Sequence, residues 1–244
     1  MRDSLRHFVA ELVGTFAIVF VAGAAYIVAQ GGAGSLGTVA AAHGLIYAVM
    51  VTAAMRISGH FNPAVTLGFL ATRRIQPLMA AVYVVAQLVG AMAAAYLHRA
   101  LIPSDVYAAA NGGAVTIAST VSGPQAFGLE AVATFLLVFA VFGTAVDPQA
   151  PKIGGFAIGL AATADVLAIG PMSGAALNPA RAFGPAVAFG QWQGQLIFWA
   201  GPIVGGVLAA LLYDMLFLPR AAEVPGSGAV QPVKGRGARR EHAV

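Results

Sequence analysis

The chain has 244 residues, of which 59% are hydrophobic, 30 are glycine and only 9% are charged. A soluble domain needs about a quarter of its residues charged to solvate its surface, so ordinary cytosolic enzymes and binding modules are excluded and the composition reads as a membrane protein. The net charge of +4 does not argue for a nucleic-acid partner, because Arg220, Lys234, Arg236, Arg239 and Arg240 cluster near the C-terminus and most other basic residues punctuate apolar runs. With no cysteine, disulfides, thiolate metal sites and cysteine nucleophiles are excluded; no cofactor and no resident metal is expected.

A membrane span needs about 20 apolar residues. Residues 1–7 carry Arg2, Asp3 and Arg6 and read as a cytoplasmic N-terminal segment, and the apolar run behind them is too long for a signal peptide. No Asp, Glu, Lys or Arg occurs between Glu11 and Arg56, and the glycine-rich break after Gln30 divides that stretch into spans near 8–29 and 38–56. Further spans are predicted near 77–98, 126–146, 154–171 and 195–217. The segments 57–72 and 173–190 are apolar but too short, and each begins near a Ser-Gly pair. Irregular backbone at membrane depth is tolerated only where it is buried in protein or lines a watery cavity, so both read as re-entrant pieces of a pore or binding site. Arg2, Arg6, Arg73, Arg74, Lys152 and the tail fall on one side against Arg99 on the other, which predicts cytoplasmic termini in the plasma (inner) membrane. Residues 219–244, rich in Gly, Pro and Arg, are expected to be a disordered cytoplasmic tail.

The two halves match. Glu11-Leu12-Val13-Gly14-Thr15-Phe16 pairs with Glu130-Ala131-Val132-Ala133-Thr134-Phe135, and Asn62-Pro63-Ala64 pairs with Asn178-Pro179-Ala180. Each half therefore holds three spans and one short element, repeat 1 over about 8–98 and repeat 2 over about 126–217, within one channel domain at 8–218. An odd number of spans per half turns the second repeat upside down, so the expected fold is all-α: six transmembrane helices plus two re-entrant half-helices in an inverted repeat. Asn-Pro before an apolar run is a helix N-terminus, because proline has no N–H to lose at the first position and asparagine caps free donors. Two such termini meeting at the midplane repel cations, and the Asn62 and Asn178 amides orient a single file of water so that proton hopping is disfavoured.

These motifs, read with their flanks as Ser58-Gly59-His60-Phe61-Asn62-Pro63-Ala64-Val65-Thr66 and Ser173-Gly174-Ala175-Ala176-Leu177-Asn178-Pro179-Ala180-Arg181, resemble the aquaporin, or major intrinsic protein, family over about residues 5–218. The likeness is to a bacterial-looking member of its water-channel-type subgroup, supported by Ala182, Ala186 and Phe198-Trp199. It implies a right-handed aquaporin-like bundle, a homotetramer, and a pore for water and small neutral solutes in a lipid bilayer. One departure is a residue missing between the glycine and histidine of the first motif, which shortens the cytoplasmic vestibule and leaves the half-helix intact.

Arg181 has no carboxylate in local reach, and an intramembrane arginine costs at least about 2.5–3.5 kcal/mol, so it should face a watery lumen. The resemblance makes it the selectivity-filter arginine and places His43, Val166 and Ala175 at the other three filter positions. It assigns Glu11 and Glu130 to holding the re-entrant loops, against the alternative of a proton relay in a coupled transporter, and His60 to the cytoplasmic side of the pore. Asp165, in the fifth span, is expected to hydrogen-bond off the lumen. The reading is a passive channel for water, with some ammonia or urea, that excludes protons and ions. The alternatives are a glycerol or small-polyol facilitator of the same fold and an ion-coupled secondary transporter. A serine hydrolase is disfavoured because Gly170-Pro171-Met172-Ser173-Gly174 is one residue too long for a nucleophile turn.

Overall fold

The computed structural model describes residues 2–218, and every regular element among them is helical. In chain order these are α1 (Arg2–Gln30), α2 (Leu36–Ala54), α3 (Pro63–Ala71), α4 (Pro77–Leu101), α5 (Ser104–Ala109), α6 (Gly123–Val141), α7 (Phe156–Ser173), α8 (Pro179–Phe189) and α9 (Gln195–Leu216). A segment in lipid must satisfy its own backbone polar groups, which is why the apolar runs become helices. Six of them are long and apolar enough to cross a membrane, with α6 extended by a π-type turn at Phe142–Val146. The protein is an integral, multi-pass membrane protein. Met1 and residues 219–244, including the tail expected to be disordered, lie outside the described residues.

Local chemistry fixes the boundaries. The break between α1 and α2 ends at Ser35, whose hydroxyl accepts from the Thr38 N–H at 3.2 Å while Thr38 Oγ1 accepts from the Ser35 N–H at 3.4 Å. Helix α1 begins at Arg2 instead of near residue 8, with Asp3 in its first turn favouring the positive end of the dipole. Residues 2–7 are thus helical. A short helix, α5, and a 3-10 turn at Asn111–Gly113 occupy the connection between the repeats, where the sequence shows no periodic signal strong enough to predict them.

The packing follows the inverted repeat. Helix α1 lies on α4 as α6 lies on α9, α2 crosses α7 between the repeats, and each half-helix packs on the last span of the opposite repeat, α3 on α9 and α8 on α4. Glycines set the central crossing. A Cβ on Gly44 would run into Thr163 and the Gly159 carbonyl, and one on Gly159 into the Gly44 carbonyl. Without an apolar-water driving force between helices in lipid, such backbone contact supplies the packing. It brings together the faces of α2 and α7 that carry His43 and Val166, while Leu45, Val49, Val132 and Leu136 point outward.

Candidate functional site

Both Asn-Pro junctions are helix N-termini. Pro63 and Pro179 occupy first helical positions; Asn62 Oδ1 accepts from the Ala64 N–H at 2.8 Å, and Asn178 Oδ1 from the Ala180 and Arg181 N–H groups at 3.0 and 3.4 Å. The amide nitrogens reach across the repeat. Asn62 Nδ2 donates to the Leu177 carbonyl at 2.9 Å and Asn178 Nδ2 to the Phe61 carbonyl at 2.8 Å. Each amide has two N–H groups, so this crossed pair uses one on each side.

The carbonyls are presented by strained backbone. Phe61 and Leu177, each immediately before its asparagine, adopt φ of 52° and 55°, a left-handed conformation that costs a non-glycine residue about 1–3 kcal/mol and persists only where its surroundings over-determine it. Two buried glutamates do this. Glu11 accepts from Phe61 N–H at 2.7 Å, His60 N–H at 2.9 Å, Gln87 Nε2 at 2.6 Å and the Ser58 hydroxyl. Glu130 accepts from Leu177 N–H at 2.8 Å, Ala176 N–H at 2.9 Å and the Ser173 hydroxyl at 2.7 Å. A ring-sized gap is also needed on α1, where any Cβ at Gly14 would collide with the Phe61 side chain.

The four residues predicted for the filter lie on four different segments. His43 on α2, Val166 on α7, Ala175 in the loop and Arg181 on α8 are all buried. Arg181 lies over the Tyr26 ring, 5.6 Å from its centroid, and Nη1 donates to the Gly113 carbonyl at 3.2 Å. Its Nε and His43 Nε2 have no partner among the described residues. Val166, Val39 and Tyr26 line a cavity of about 240 Å³ above them.

The opposite mouth is a smaller cavity, about 190 Å³, lined by His60, Ser58, Phe69, Tyr83 and Ile158. His60 Nδ1 is 3.1 Å from Thr66 Oγ1, and its ring packs on Phe69 and Tyr83. Asp165 is elsewhere. It lines a lateral groove of about 540 Å³ with Leu129, Val132 and Met172, and Oδ2 makes no hydrogen bond among the described residues, where the sequence leads one to expect a partner. The sequence reading missed Gln87, which also donates to Thr66 Oγ1 at 2.9 Å, and it missed Tyr26 and Gly113 beside Arg181. Gln87 carries a readable signal, since an amide in the middle of an apolar span needs a buried partner; Tyr26 and Gly113 carry none.

Comparison with known proteins places this arrangement. The major intrinsic protein family matches residues 1–213. Aquaporin TIP4-4 of Zea mays is 43% identical over 232 residues, covering 91% of this chain and 90% of the relative. Probable aquaporin TIP3-2 of Arabidopsis thaliana is 40% identical over 251 residues, covering 95% and 91%. These relatives are plant proteins. Among solved structures, the X-ray structure of the aquaglyceroporin from Plasmodium falciparum superposes with a TM-score of 0.74 over 87% of this chain and 96% of that one; at 24% identity the likeness is one of fold.

Proposed function

The chain belongs to the major intrinsic protein family, and on that premise we propose a passive membrane channel that carries water in single file, admits small neutral solutes such as ammonia or urea, and excludes protons and ions. The observation that carries this reading is the crossed pair Asn62 Nδ2 to Leu177 O and Asn178 Nδ2 to Phe61 O. It holds two helix N-termini face to face, so that their positive ends oppose a cation and the remaining amide N–H groups donate to passing water oxygen. A water held by two donors points its hydrogens away on both sides and breaks the proton wire.

His43, Val166, Ala175 and Arg181 form the solute filter in this account, with Arg181 supplying the positive field and His43 a second polar wall. Val166 and Ala175 are small, which suits ammonia or urea, and no aromatic corner is present among the four for the carbon backbone of glycerol. Glu11 and Glu130 support the loops, and His60 lines the cytoplasmic mouth. The basic residues Arg2, Arg6, Arg73, Arg74 and Lys152 support cytoplasmic termini. A homotetramer is the assembly proposed from membership of the family, and the exposed apolar faces around Leu45 and Val132 suit contact with lipid or a further copy.

Stopped-flow light scattering on proteoliposomes tests the proposal. In a sucrose gradient, water efflux should exceed that of empty vesicles roughly tenfold, a lowering of the barrier by about 1.4 kcal/mol. Glycerol entry should stay near the lipid background and urea entry should exceed it. Glycerol entering as readily as water leaves would replace the water reading by the polyol facilitator.

A further inference from the structure

One helical turn beyond His43, α2 carries Tyr47, and the two side chains share a face because residues four apart on a helix are stacked along it. Their rings lie parallel, with centroids 6.1 Å apart and an interplanar angle of 15°. Tyr47 is 1% exposed and its hydroxyl has no hydrogen-bond partner among the described residues, although the Asn62 side chain is close by. A buried hydroxyl without a partner is unfavourable in an apolar core. The cost is removed where the hydroxyl faces a path for polar molecules.

The surrounding groups mark that path. Arg181 Nε, His43 Nε2 and Tyr47 Oη are all buried and unpartnered among the described residues; Arg181 is near His43, and Tyr47 near Asn62. Across from them on α7, Val166 and Ala162 are likewise one turn apart. The cavities of about 240 and 190 Å³ open at the two mouths, whereas Tyr47, Leu137, Ala162, Asn62 and Asn178 between them have almost no accessible surface. Tyr47 packs in one apolar cluster with Val166, Ala175 and Ala162, all smaller than the phenol ring.

We propose that the Tyr47 ring is a second sieve, set between the four-residue filter and the Asn62–Asn178 pair, and that it decides which neutral solutes are too large to follow water. The inference rests on the channel reading and deepens it. It makes glycerol exclusion a property of Tyr47, with Val166 leaving a wide outer constriction. A purely packing role for Tyr47 predicts the opposite: its truncation would lower all fluxes together without changing their ratio.

The test is the glycerol-to-water permeability ratio of the full chain in proteoliposomes, for the native protein and for Tyr47→Ala, Tyr47→Leu, Tyr47→Phe and Val166→Ala. The ratio should rise roughly tenfold in Tyr47→Ala and by a smaller factor in Tyr47→Leu, the milder change should the first not fold. Tyr47→Phe, which keeps the ring, should leave it within about twofold of native, and Val166→Ala, which widens only the filter, should raise it by less than Tyr47→Ala does. A rise in Val166→Ala with none in the Tyr47 variants would overturn the sieve and return selection to the filter. High water flux with an unchanged ratio in both Tyr47→Ala and Tyr47→Leu would do the same. Native water flux no greater than that of empty vesicles would overturn the channel reading, and the sieve with it.

Discussion

Glu130→Ala is expected to abolish most of the water flux, even though in this account the side chain never touches a permeating molecule. Its carboxylate accepts from the Ser173 hydroxyl and from the Ala176 and Leu177 N–H groups. Leaving a buried donor unpaired costs about 1–3 kcal/mol, so three of them amount to at least about 3 kcal/mol. Leu177 would also lose the bond that holds its left-handed backbone, and with it the carbonyl that accepts from Asn62. Water permeability per channel should fall at least about tenfold, and the apparent Tm in detergent should drop by roughly 6–12 °C. Glu130→Gln keeps one acceptor oxygen and should fall between native and alanine. A fully active, native-stable Glu130→Ala channel would show that the loop is held by something else.

Arg181→Val should convert a selective pore into a permissive one. Arg181 is 3% exposed, its guanidinium lies over Tyr26 and Nη1 donates to the Gly113 carbonyl, so the side chain has a defined place, which the proposal assigns to the filter. Valine removes both its volume and its charge. A positive charge in a low-dielectric surround is a strong barrier to cations, and none of the other three filter residues carries a fixed charge. Urea permeability should rise several-fold, on the order of the tenfold that corresponds to 1.4 kcal/mol, and a cation leak should become measurable. Glycerol should rise less, because Tyr47 stands behind the filter. The measurement is solute-driven reswelling together with a potassium-sensitive dye in the same vesicles. Unchanged urea and cation permeability in a correctly inserted protein would remove Arg181 from the filter.

Much of the fold is legible in the sequence because membrane depth leaves few options. Runs without charge longer than about 20 residues must be helices, and the two Asn-Pro-Ala triplets in matching places fix both the inverted repeat and the half-helices. Helix ends are less legible. The start of α1 at Arg2 depends on dipole and helix propensity in a polar stretch, and α5 lies in a loop without a strong periodic pattern.

The site divides in the same way. Asn62, Asn178, Glu11, Glu130 and Arg181 could be read from the sequence because polar residues inside apolar runs demand an explanation. Tyr47 was silent, since a tyrosine in an apolar helix is ordinarily core, and only the unpartnered hydroxyl and the stacking on His43 bring it to notice. The strain at Phe61 and Leu177 was equally hidden, because neither residue type signals a left-handed backbone. Asp165 is legible as a polar residue in an apolar span, but the groove it lines with Leu129, Val132 and Met172 has no signal in the sequence.

The central claim is that the crossed asparagine pair passes water while breaking its proton wire, and one measurement addresses it directly. Proteoliposomes loaded with a pH-sensitive dye are given an osmotic gradient and then a proton gradient at clamped potential. The account predicts water efflux well above that of empty vesicles with a proton leak no greater than theirs. A proton leak that rises in step with the amount of active channel, at that same high water flux, would contradict it.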